Sequence, residues 1–221
     1  MERALVIGAS GGIGRALVAA LEAKDTEVVG LSRSGHGLDL TDEASIIRVL
    51  GALEGNFDTM VVATGALEIG AFRPEKSLRA LDPAALAAQF ALNAIGPALI
   101  LKHALRLLPK DRPARFAALS ARVASIGDNA LGGWYSYRAA KAALNQLIHS
   151  AAIEVARSHP QAVVALMHPG TVATGFGAAY IGNHPTVTPA VAAANVLTVL
   201  SGLTPADTGG FFDWAGKRIV W

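Results

Sequence analysis

The chain has 221 residues, of which 52% are hydrophobic and 16% are charged, with a formal net charge of +2 and no cysteine. This composition supports a well-buried core and excludes general disorder, and the scattered Lys and Arg residues do not form the basic stripe that nucleic-acid binding needs. Without cysteine, a disulfide framework, a thiolate nucleophile and a cysteine-ligated zinc site are excluded as well.

The length predicts a single domain spanning residues 1–221, because α/β domains of this size commonly remain undivided. The first residues run straight into an apolar strand-like stretch and a glycine turn, without the cleavage site of a signal peptide, so we expect a cytoplasmic protein. Two uncharged stretches, 83–101 and 187–206, approach membrane-spanning length. Both contain polar residues, Gly and Pro, which favours buried helices over a membrane span.

Short β-branched runs alternate with longer segments rich in alanine and leucine, a pattern typical of strands joined by crossover helices. The predicted strands are residues 4–7, 27–31, 59–63, 114–119, 163–167 and 210–213, and the predicted helices are 12–23, 42–53, 82–108, 135–157 and 189–200. Asp82 and Thr188, each followed by Pro, are expected helix N-caps. We therefore predict a doubly wound, Rossmann-like α/β domain with a mostly parallel sheet and helices on both faces.

The first predicted strand ends in a glycine-rich turn, Gly8-Ala9-Ser10-Gly11-Gly12-Ile13-Gly14, which leads directly into a helix. Gly8 suits a tight turn, Gly12 lets the backbone approach a pyrophosphate, and Gly14 lets the helix pack closely on the strand. The free amides of the helix N-terminus would then face the phosphates. A turn without a ligand is the alternative, but the position at the first β–α junction favours dinucleotide binding.

The end of the second predicted strand bears on which dinucleotide is bound. A carboxylate there would bind the ribose 2′-hydroxyl of NAD and repel the additional phosphate of NADP. The residues at this position are Leu31-Ser32-Arg33-Ser34. Arg33 can pair with a 2′-phosphate, and the neighbouring hydroxyls can donate to it. The sequence therefore favours NADP(H) over NAD(H), with a solvated surface charge as the alternative interpretation of Arg33.

Tyr137 and Lys141 are four residues apart in a predicted helix and so share one of its faces. A phenol with a pKa of about 10 is a poor acid–base catalyst at neutral pH, but a nearby ammonium stabilises the phenolate and lowers that pKa. Tyr137 is thus a candidate general acid or base. The alternative is a surface Lys beside a packing Tyr.

Taken in order, these motifs resemble the short-chain dehydrogenase/reductase family along nearly the whole chain. The glycine turn resembles its GxxxGxG motif, and Tyr137 with Lys141 resembles its YxxxK motif. Segment 125–141 and the C-terminal DWAGKRIVW are similar to the small C-factor-like reductases of that family. Further similarities lie at Asp39-Leu40 (its adenine-contacting Asp and the following residue), Thr64-Gly65 (the remains of its NAG motif), Asn93, and Pro169-Gly170-Thr171-Val172-Ala173-Thr174.

The resemblance implies hydride transfer between a nicotinamide and a carbonyl or alcohol carbon, with Tyr137 moving the accompanying proton. Lys141 would hold the nicotinamide ribose and lower the pKa of Tyr137, while Asn93 would support a water that leads protons to Lys141. Segment 169–174 would hold the carboxamide side of the nicotinamide, with Gly170 suited to close backbone approach. With NADP(H) as the cofactor, carbonyl reduction is the favoured direction.

The substrate-orienting serine is where the sequence departs from the family pattern. Ser120 ends a predicted strand but lies 17 residues before Tyr137, more than the family separation of about a dozen. Ala121 stands where many relatives have the second of two serines. We assign the role to Ser120 and keep Ser125 as the alternative.

The glycine-rich segment 171–187 is longer than the usual connection of about 2–6 residues in α/β units, which predicts a substrate loop or lid. An ordinary surface loop is the alternative. Phe176, Tyr180 and Ile181 would form an apolar part of the pocket wall. His184 is interpreted as an exposed loop residue, and the six histidines show no metal-ligand pattern, so no metal is expected.

The expected partner is a small carbonyl or alcohol substrate, with neither nucleic acid nor a membrane involved. Alanine-rich faces of the helices at 135–157 and 189–200 could pack between subunits, so we expect a homodimer or homotetramer. A catalytically weak signalling or scaffold protein of the same fold is the alternative function, because fold alone does not establish activity. An epimerase or dehydratase is a third possibility, although the chain leaves little room for the larger substrate domain of such enzymes.

Overall fold

Six parallel strands form one sheet in the part of the chain that this computed structural model describes, residues 2–177, 179–180 and 185–221. The order across the sheet is β2-β1-β3-β4-β5-β6. The strands are β1 (Arg3–Ile7), β2 (Glu27–Leu31), β3 (Thr59–Val62), β4 (Ala114–Leu119), β5 (Ala162–Met167) and β6 (Phe211–Phe212). The ends of β1 to β5 agree with the predicted ends to within one residue. β6 is shorter and covers only the two central residues of the predicted run 210–213.

Helices cover both faces of the sheet, which confirms the doubly wound α/β prediction. They are α1 (Gly12–Glu22), α2 (Arg33–His36), α3 (Glu43–Gly51), α4 (Pro83–Phe90), α5 (Gly96–Ala104), α6 (Tyr135–Ser158) and α7 (Pro189–Gly202). Leu17 of α1 and Val196 of α7 belong to the core on one face. Ile46 of α3, Ile100 of α5 and Leu144 of α6 belong to the core on the other.

The strand order reverses at β1, because β2 pairs with one of its edges and β3 with the other. Ile7, the last residue of β1, is paired with Leu31 on one side and with Val62 on the other. In open α/β sheets, ligands bind in the crevice outside the carboxyl ends of the strands at such a switch point. The fold therefore places the glycine turn, which follows Ile7, at the position where a ligand crevice is expected.

The long helix predicted at 82–108 is interrupted in the structure. A π-helical turn, Ala91–Ile95, separates α4 from α5, and Asp82 caps α4 by accepting hydrogen bonds from the N–H groups of Ala84 and Ala85. Single π turns inside α-helices frequently mark functional sites. Hydrophobic periodicity alone does not reveal a π turn, since it adds only one residue to one turn.

The same helical stretch, Pro83–Leu107, has the length and apolar composition to cross a membrane, and its most apolar 18-residue segment has a mean hydropathy of 1.7. In the structure, 44% of that segment is buried, and Ile100 and Leu101 lie in the core against the sheet. Core helices of α/β folds have this composition because they pack against a sheet face. The stretch accordingly forms part of the packed core in this fold.

Candidate active site

A cavity of about 650 Å³ opens at the carboxyl ends of β1, β3, β4 and β5. Its volume lies within the range of about 300–1,000 Å³ that is typical of small-molecule sites. Its wall includes twelve of the assigned catalytic and cofactor-binding residues: Gly11, Gly12, Ile13, Thr64, Gly65, Ser120, Tyr137, Lys141, Pro169, Gly170, Val172 and Thr174. The other assigned catalytic and cofactor-binding residues lie outside this wall: Gly8, Ser10, Gly14, Arg33, Asp39, Leu40 and Asn93.

The glycine turn is shaped by close backbone contacts. Gly8 has a φ of 92°, in the left-handed region that favours glycine, and a Cβ at Gly14 would lie 2.0 Å from the carbonyl oxygen of Gly8. A Cβ at Gly12 would lie 2.6 Å from Cγ2 of Thr174. Gly8 and Gly14 therefore permit the turn itself, whereas Gly12 lets Thr174 pack directly against the start of α1.

The N-terminus of α1 opens on the cavity. The N-cap residue of this helix, Gly11, provides no side-chain hydrogen bond to the first turn. The first N–H groups of a helix lack partners within the helix, and the helix dipole makes this end electropositive. Gly11, Gly12 and Ile13 all line the cavity, so the uncapped turn can bind an anionic group there.

Arg33 lies beside the glycine turn, outside the cavity wall. The carbonyl oxygen of Leu31, at the end of β2, accepts hydrogen bonds from the N–H groups of Gly8 (2.8 Å) and Ala9 (2.9 Å). Arg33 follows two residues later as the first residue of α2, with its side chain exposed. Ser32 caps α2 by accepting from the N–H of Gly35. Arg33 is thus an exposed cation that follows closely on the strand end to which the glycine turn is bonded.

Asp39 and Leu40 follow α2 and lie away from the cavity wall. The carboxylate of Asp39 accepts hydrogen bonds from the Thr41 hydroxyl (2.7 Å) and N–H (2.9 Å). These bonds, with a smaller effect of the Arg33 charge, hold the pKa of Asp39 below its ordinary value. The side chain of Leu40 is buried against α5, since a Cβ at Gly96 would lie 2.7 Å from Leu40 Cβ. Of these two residues, only Asp39 has a partly exposed side chain that a cofactor could contact.

Tyr137 and Lys141 are both buried in the cavity wall, one turn apart on α6. Nζ of Lys141 donates to the carbonyl oxygen of Leu119 (2.9 Å) and lies 5.9 Å from the centroid of the Tyr137 ring. Burial raises the pKa of Tyr137 above its ordinary value and lowers the pKa of Lys141 to about 8. Burial of the phenol thus acts against the lowering of the tyrosine pKa that was expected from Lys141.

Asn93 lies in the π turn and is completely buried. Its Oδ1 accepts from the N–H of Ala66 (3.0 Å), and its Nδ2 donates to the Ala66 carbonyl (2.9 Å) and to Oε1 of Gln89. Gln89 in turn donates to the carbonyl of Leu67 (2.8 Å). The two amides hold the loop that follows β3, and that loop includes the cavity residue Gly65. The structure thus uses the Asn93 side chain to position the cavity wall.

Of the two candidate serines, the structure brings Ser120 to the cavity. Its hydroxyl donates to Oδ1 of Asn145 (2.7 Å). The neighbouring cavity residue, Ala121, has no hydroxyl to offer. Ser125 is buried outside the cavity wall, where its hydroxyl accepts from the N–H of Asp128 (3.0 Å). The serine that a substrate in the cavity could contact is therefore Ser120.

Aromatic side chains gather beside Tyr137. The ring of Phe176 lies 6.1 Å from that of Tyr137, and the ring of Trp134 lies 6.3 Å from Tyr137 and 5.9 Å from Tyr180. The hydroxyl of Tyr180 donates to the carboxylate of Glu68. Trp134 was not identified from the sequence as part of this cluster, although it stands only three residues before Tyr137.

The predicted substrate loop is closed at its base by backbone hydrogen bonds. The N–H of Ala173 donates to the carbonyl of Val187 (2.9 Å), and the N–H of Val187 donates to the carbonyl of Thr171 (3.0 Å). Phe176 and Tyr180, beyond this neck, line the cavity, as a lid requires. Ile181 and His184 lie outside the described residues.

His168 is a further cavity residue that the sequence did not single out. Burial, together with the nearby charge of Arg122, lowers the pKa of His168 to about 4. Arg122 also pairs with Asp213 (3.3 Å) and Asp128 (3.1 Å). The histidine therefore contributes a neutral ring to the cavity at neutral pH. Its position directly before Pro169-Gly170 was the available sequence signal.

Comparison with known proteins finds similar sequences and a similar fold. A family model described as enoyl-(acyl carrier protein) reductase matches residues 30–211. C-signal of Myxococcus xanthus is 34% identical over 142 residues, which cover 64% of this chain and 81% of that protein. The 1-hydroxy-2-glutathionyl-2-methyl-3-butene dehydrogenase of Rhodococcus sp. (strain AD45) is 28% identical over 239 residues, with 100% of both chains covered. The structure of NADPH-bound carbonyl reductase from chicken fatty liver has the same fold, with a TM-score of 0.84 and 22% identity over 100% of this chain and 94% of that one.

Proposed function

Because this chain belongs to the short-chain dehydrogenase/reductase family, we propose that it is an NADPH-dependent carbonyl reductase with Tyr137 as its proton donor. The observation that carries the proposal is the position of Tyr137 and Lys141 in the wall of the cavity onto which the glycine turn opens. Since burial raises the pKa of Tyr137, the phenol keeps its proton at neutral pH. A protonated group beside the substrate suits reduction, in which the carbonyl oxygen must gain a proton.

The residues of the cavity fit a nicotinamide dinucleotide phosphate. The uncapped N-terminus of α1 offers free N–H groups to a pyrophosphate. The hydroxyl of Thr64, in the cavity wall, is buried without a hydrogen-bond partner in the described part of the chain. Arg33, exposed at the start of α2, fits the 2′-phosphate of NADP(H), and Asp39 fits the adenine side. When bound, the cofactor supplies the hydride.

The chain's own residues orient the reactants and move the proton. In the proposed reduction the carbonyl carbon would gain the hydride and the carbonyl oxygen the proton of Tyr137 Oη, which leaves an alcohol, the oxidised cofactor and a tyrosine phenolate that regains its proton from water. Lys141 would hold the nicotinamide ribose through its ammonium, and Ser120 would direct the carbonyl oxygen toward Tyr137. Gly170, with Val172 and Thr174, would hold the carboxamide side of the nicotinamide.

The substrate we propose is a small carbonyl compound with an apolar or aromatic body. Phe176, Trp134 and Tyr180 provide flat apolar surfaces beside Tyr137. The carboxylate of Glu68 also lies in the cavity wall, bonded to Tyr180 and paired with Arg73 (3.2 Å). A carboxylate there disfavours an anionic substrate, because like charges repel.

The chain is further proposed to act as a cytoplasmic homodimer or homotetramer. Leu147 and Ile153 on α6 and Val191 on α7 are exposed apolar side chains that a subunit interface would cover. Size-exclusion chromatography with light scattering tests this directly, since a mass of 22.7 kDa would be that of the monomer.

A cofactor-binding protein with little turnover is the second candidate function. One observation favours it: Ala121 provides no hydroxyl, and the hydroxyl of Ser120 is bonded to Asn145. Fluorescence titration with NADPH and NADH, followed by NADPH oxidation over a panel of ketones, aldehydes and quinones, separates the two. Binding with turnover is expected for the reductase. Tight NADPH binding without turnover over the whole panel would favour the second candidate.

A further inference from the structure

The hydroxyl of Ser120 and the carboxamide of Asn145 form an isolated buried pair beneath the cavity. Asn145 lies one turn beyond Lys141 on α6 and is 3% exposed. Its Oδ1 accepts from the Ser120 hydroxyl (2.7 Å), while its Nδ2 is buried with no hydrogen-bond partner in the residues that the structure describes. In this arrangement the only proton of the hydroxyl points at Asn145, away from a substrate.

A hydroxyl has one proton and therefore cannot donate to Asn145 and to a substrate oxygen at once. A half turn of the carboxamide about its Cβ–Cγ bond exchanges Oδ1 and Nδ2 with almost no change in shape. Nδ2 then donates to Oγ of Ser120, and the Ser120 proton becomes free. The group left unpaired changes from an N–H donor to a carbonyl oxygen, which proteins tolerate somewhat better when buried.

We propose that Asn145 is a positioning residue that donates a hydrogen bond to Oγ of Ser120 and so directs the Ser120 O–H into the cavity, toward the carbonyl oxygen of the substrate. This inference rests on the proposed reductase function. Ala121, the next residue in the cavity wall, has no hydroxyl. The substrate therefore depends on the hydroxyl of Ser120, and that hydroxyl must be turned toward the cavity. The Ser120 backbone is held by the hydrogen bond from its N–H to the carbonyl of Met167 (2.8 Å). The direction of the Ser120 O–H bond therefore depends on the side chain and its neighbour Asn145.

Asn145→Asp is the direct test, because a carboxylate only accepts and would keep the Ser120 proton turned away. In NADPH oxidation with the carbonyl compound that the chain reduces fastest, kcat is expected to fall about 10²-fold, the typical cost of losing one donor to a developing oxyanion. The Kd for NADPH should stay within about twofold, since neither residue is proposed to contact it. Gln146→Glu makes the same amide-to-acid change at the next, exposed position and should leave kcat unchanged.

The pH profile distinguishes orientation of the hydroxyl from general damage. The carboxyl group introduced by Asn145→Asp can donate to Ser120 once it is protonated, and burial raises the pKa of a carboxyl. The activity of Asn145→Asp relative to wild type should therefore rise as the pH falls. In the Ser120→Ala background, Asn145→Asp should cause no further loss, because the two residues act as one unit.

The proposal is overturned if Asn145→Asp keeps wild-type kcat while Ser120→Ala loses it, or if the two losses add and do not depend on pH. If Asn145→Asp does not fold, Asn145→Leu takes its place. It should lower kcat about tenfold at unchanged NADPH Kd, with no further loss in Ser120→Ala, and an unchanged kcat would overturn the proposal. A wild-type chain that reduces no carbonyl compound would instead refute the proposed function, and this inference with it.

Discussion

Glu75 and Ser136 stand 61 positions apart in the chain and are joined by two hydrogen bonds. The carboxylate of Glu75 accepts from the Ser136 hydroxyl and from its backbone N–H, and the Glu75 carbonyl accepts from the N–H of Trp134 (2.6 Å). Trp134, the N-cap residue of α6, makes no side-chain cap of its own. The loop after β3 therefore caps the helix that carries Tyr137, with a negative charge at the electropositive helix end.

Replacing Glu75 with Ala should destabilise the protein by about 1–3 kcal/mol, because the start of α6 loses its cap and buried Ser136 loses its partner. Glu75→Gln keeps an acceptor oxygen and should cost less. Urea denaturation measures both free energies of unfolding. Glu154→Ala, at an exposed position of the same helix, is the control and should be nearly neutral. Equal stability of Glu75→Ala and the control would rule out the cap.

Replacing Tyr137 with Phe should lower kcat by about 10²–10⁴-fold, the usual contribution of a positioned proton donor. The affinity for NADPH should be retained, because the ring remains and only the hydroxyl is removed. Fluorescence titration and steady-state kinetics give the two quantities. Tyr135→Phe is the matched control, since Tyr135 is outside the cavity wall. Full activity of Tyr137→Phe would remove Tyr137 from the proton-donor role.

The lowered pKa of Lys141, about 8, predicts the pH dependence of cofactor capture. Below this pKa the side chain is an ammonium that can hold the ribose hydroxyls, and above it the charge is lost. The kcat/KM for NADPH, which reports on the free enzyme, should therefore fall as the pH rises through about 8. In Lys141→Arg the guanidinium stays charged, so the fall near this pH should disappear. A wild-type profile that is level across this region would contradict the assignment.

Replacing Arg33 with Ala should weaken NADPH binding about 10–100-fold, because a hydrogen bond to a charged group contributes about 1.5–3 kcal/mol. NADH lacks the 2′-phosphate, so its Kd should change little. Titration of both dinucleotides measures the difference. Arg79→Ala, another exposed arginine, should affect neither. An equal loss for NADPH and NADH in Arg33→Ala would exclude Arg33 from the phosphate site.

The partly buried ring of His168 predicts a loss of stability in acid. Its pKa is about 4 in the folded chain and about 6.5 when unfolded, so the unfolded chain binds the extra proton first as the pH falls. This histidine alone should lower the free energy of unfolding by about 3 kcal/mol between roughly pH 6.5 and pH 4. His168→Gln removes the titrating group, and its urea midpoint should depend less on pH over this window. Identical pH dependence in the two proteins would argue against a buried neutral His168.

The sequence alone was sufficient to predict the α/β fold and several of the residues that line the candidate site. Alternating apolar runs specify strands and crossover helices, because each depends on neighbours only a few residues away. The turn between Gly8 and Gly14 and the spacing of Tyr137 and Lys141 are equally local. Both were predicted from the sequence, and the structure places Gly12, Tyr137 and Lys141 around one cavity.

Only the tertiary structure decided which residues distant in the sequence contact each other. Ser120 is hydrogen-bonded to Asn145, 25 residues further along the chain, and Glu75 is hydrogen-bonded to Ser136, 61 residues further along. No periodicity in the sequence relates residues so far apart. The choice of Ser120 over Ser125 depends on which of them faces the cavity where β4 ends, a matter of chain path rather than residue type. Burial, which sets the pKa of Tyr137, Lys141 and His168, is likewise a property of the whole packed chain, because it depends on every element that excludes water from the side chain.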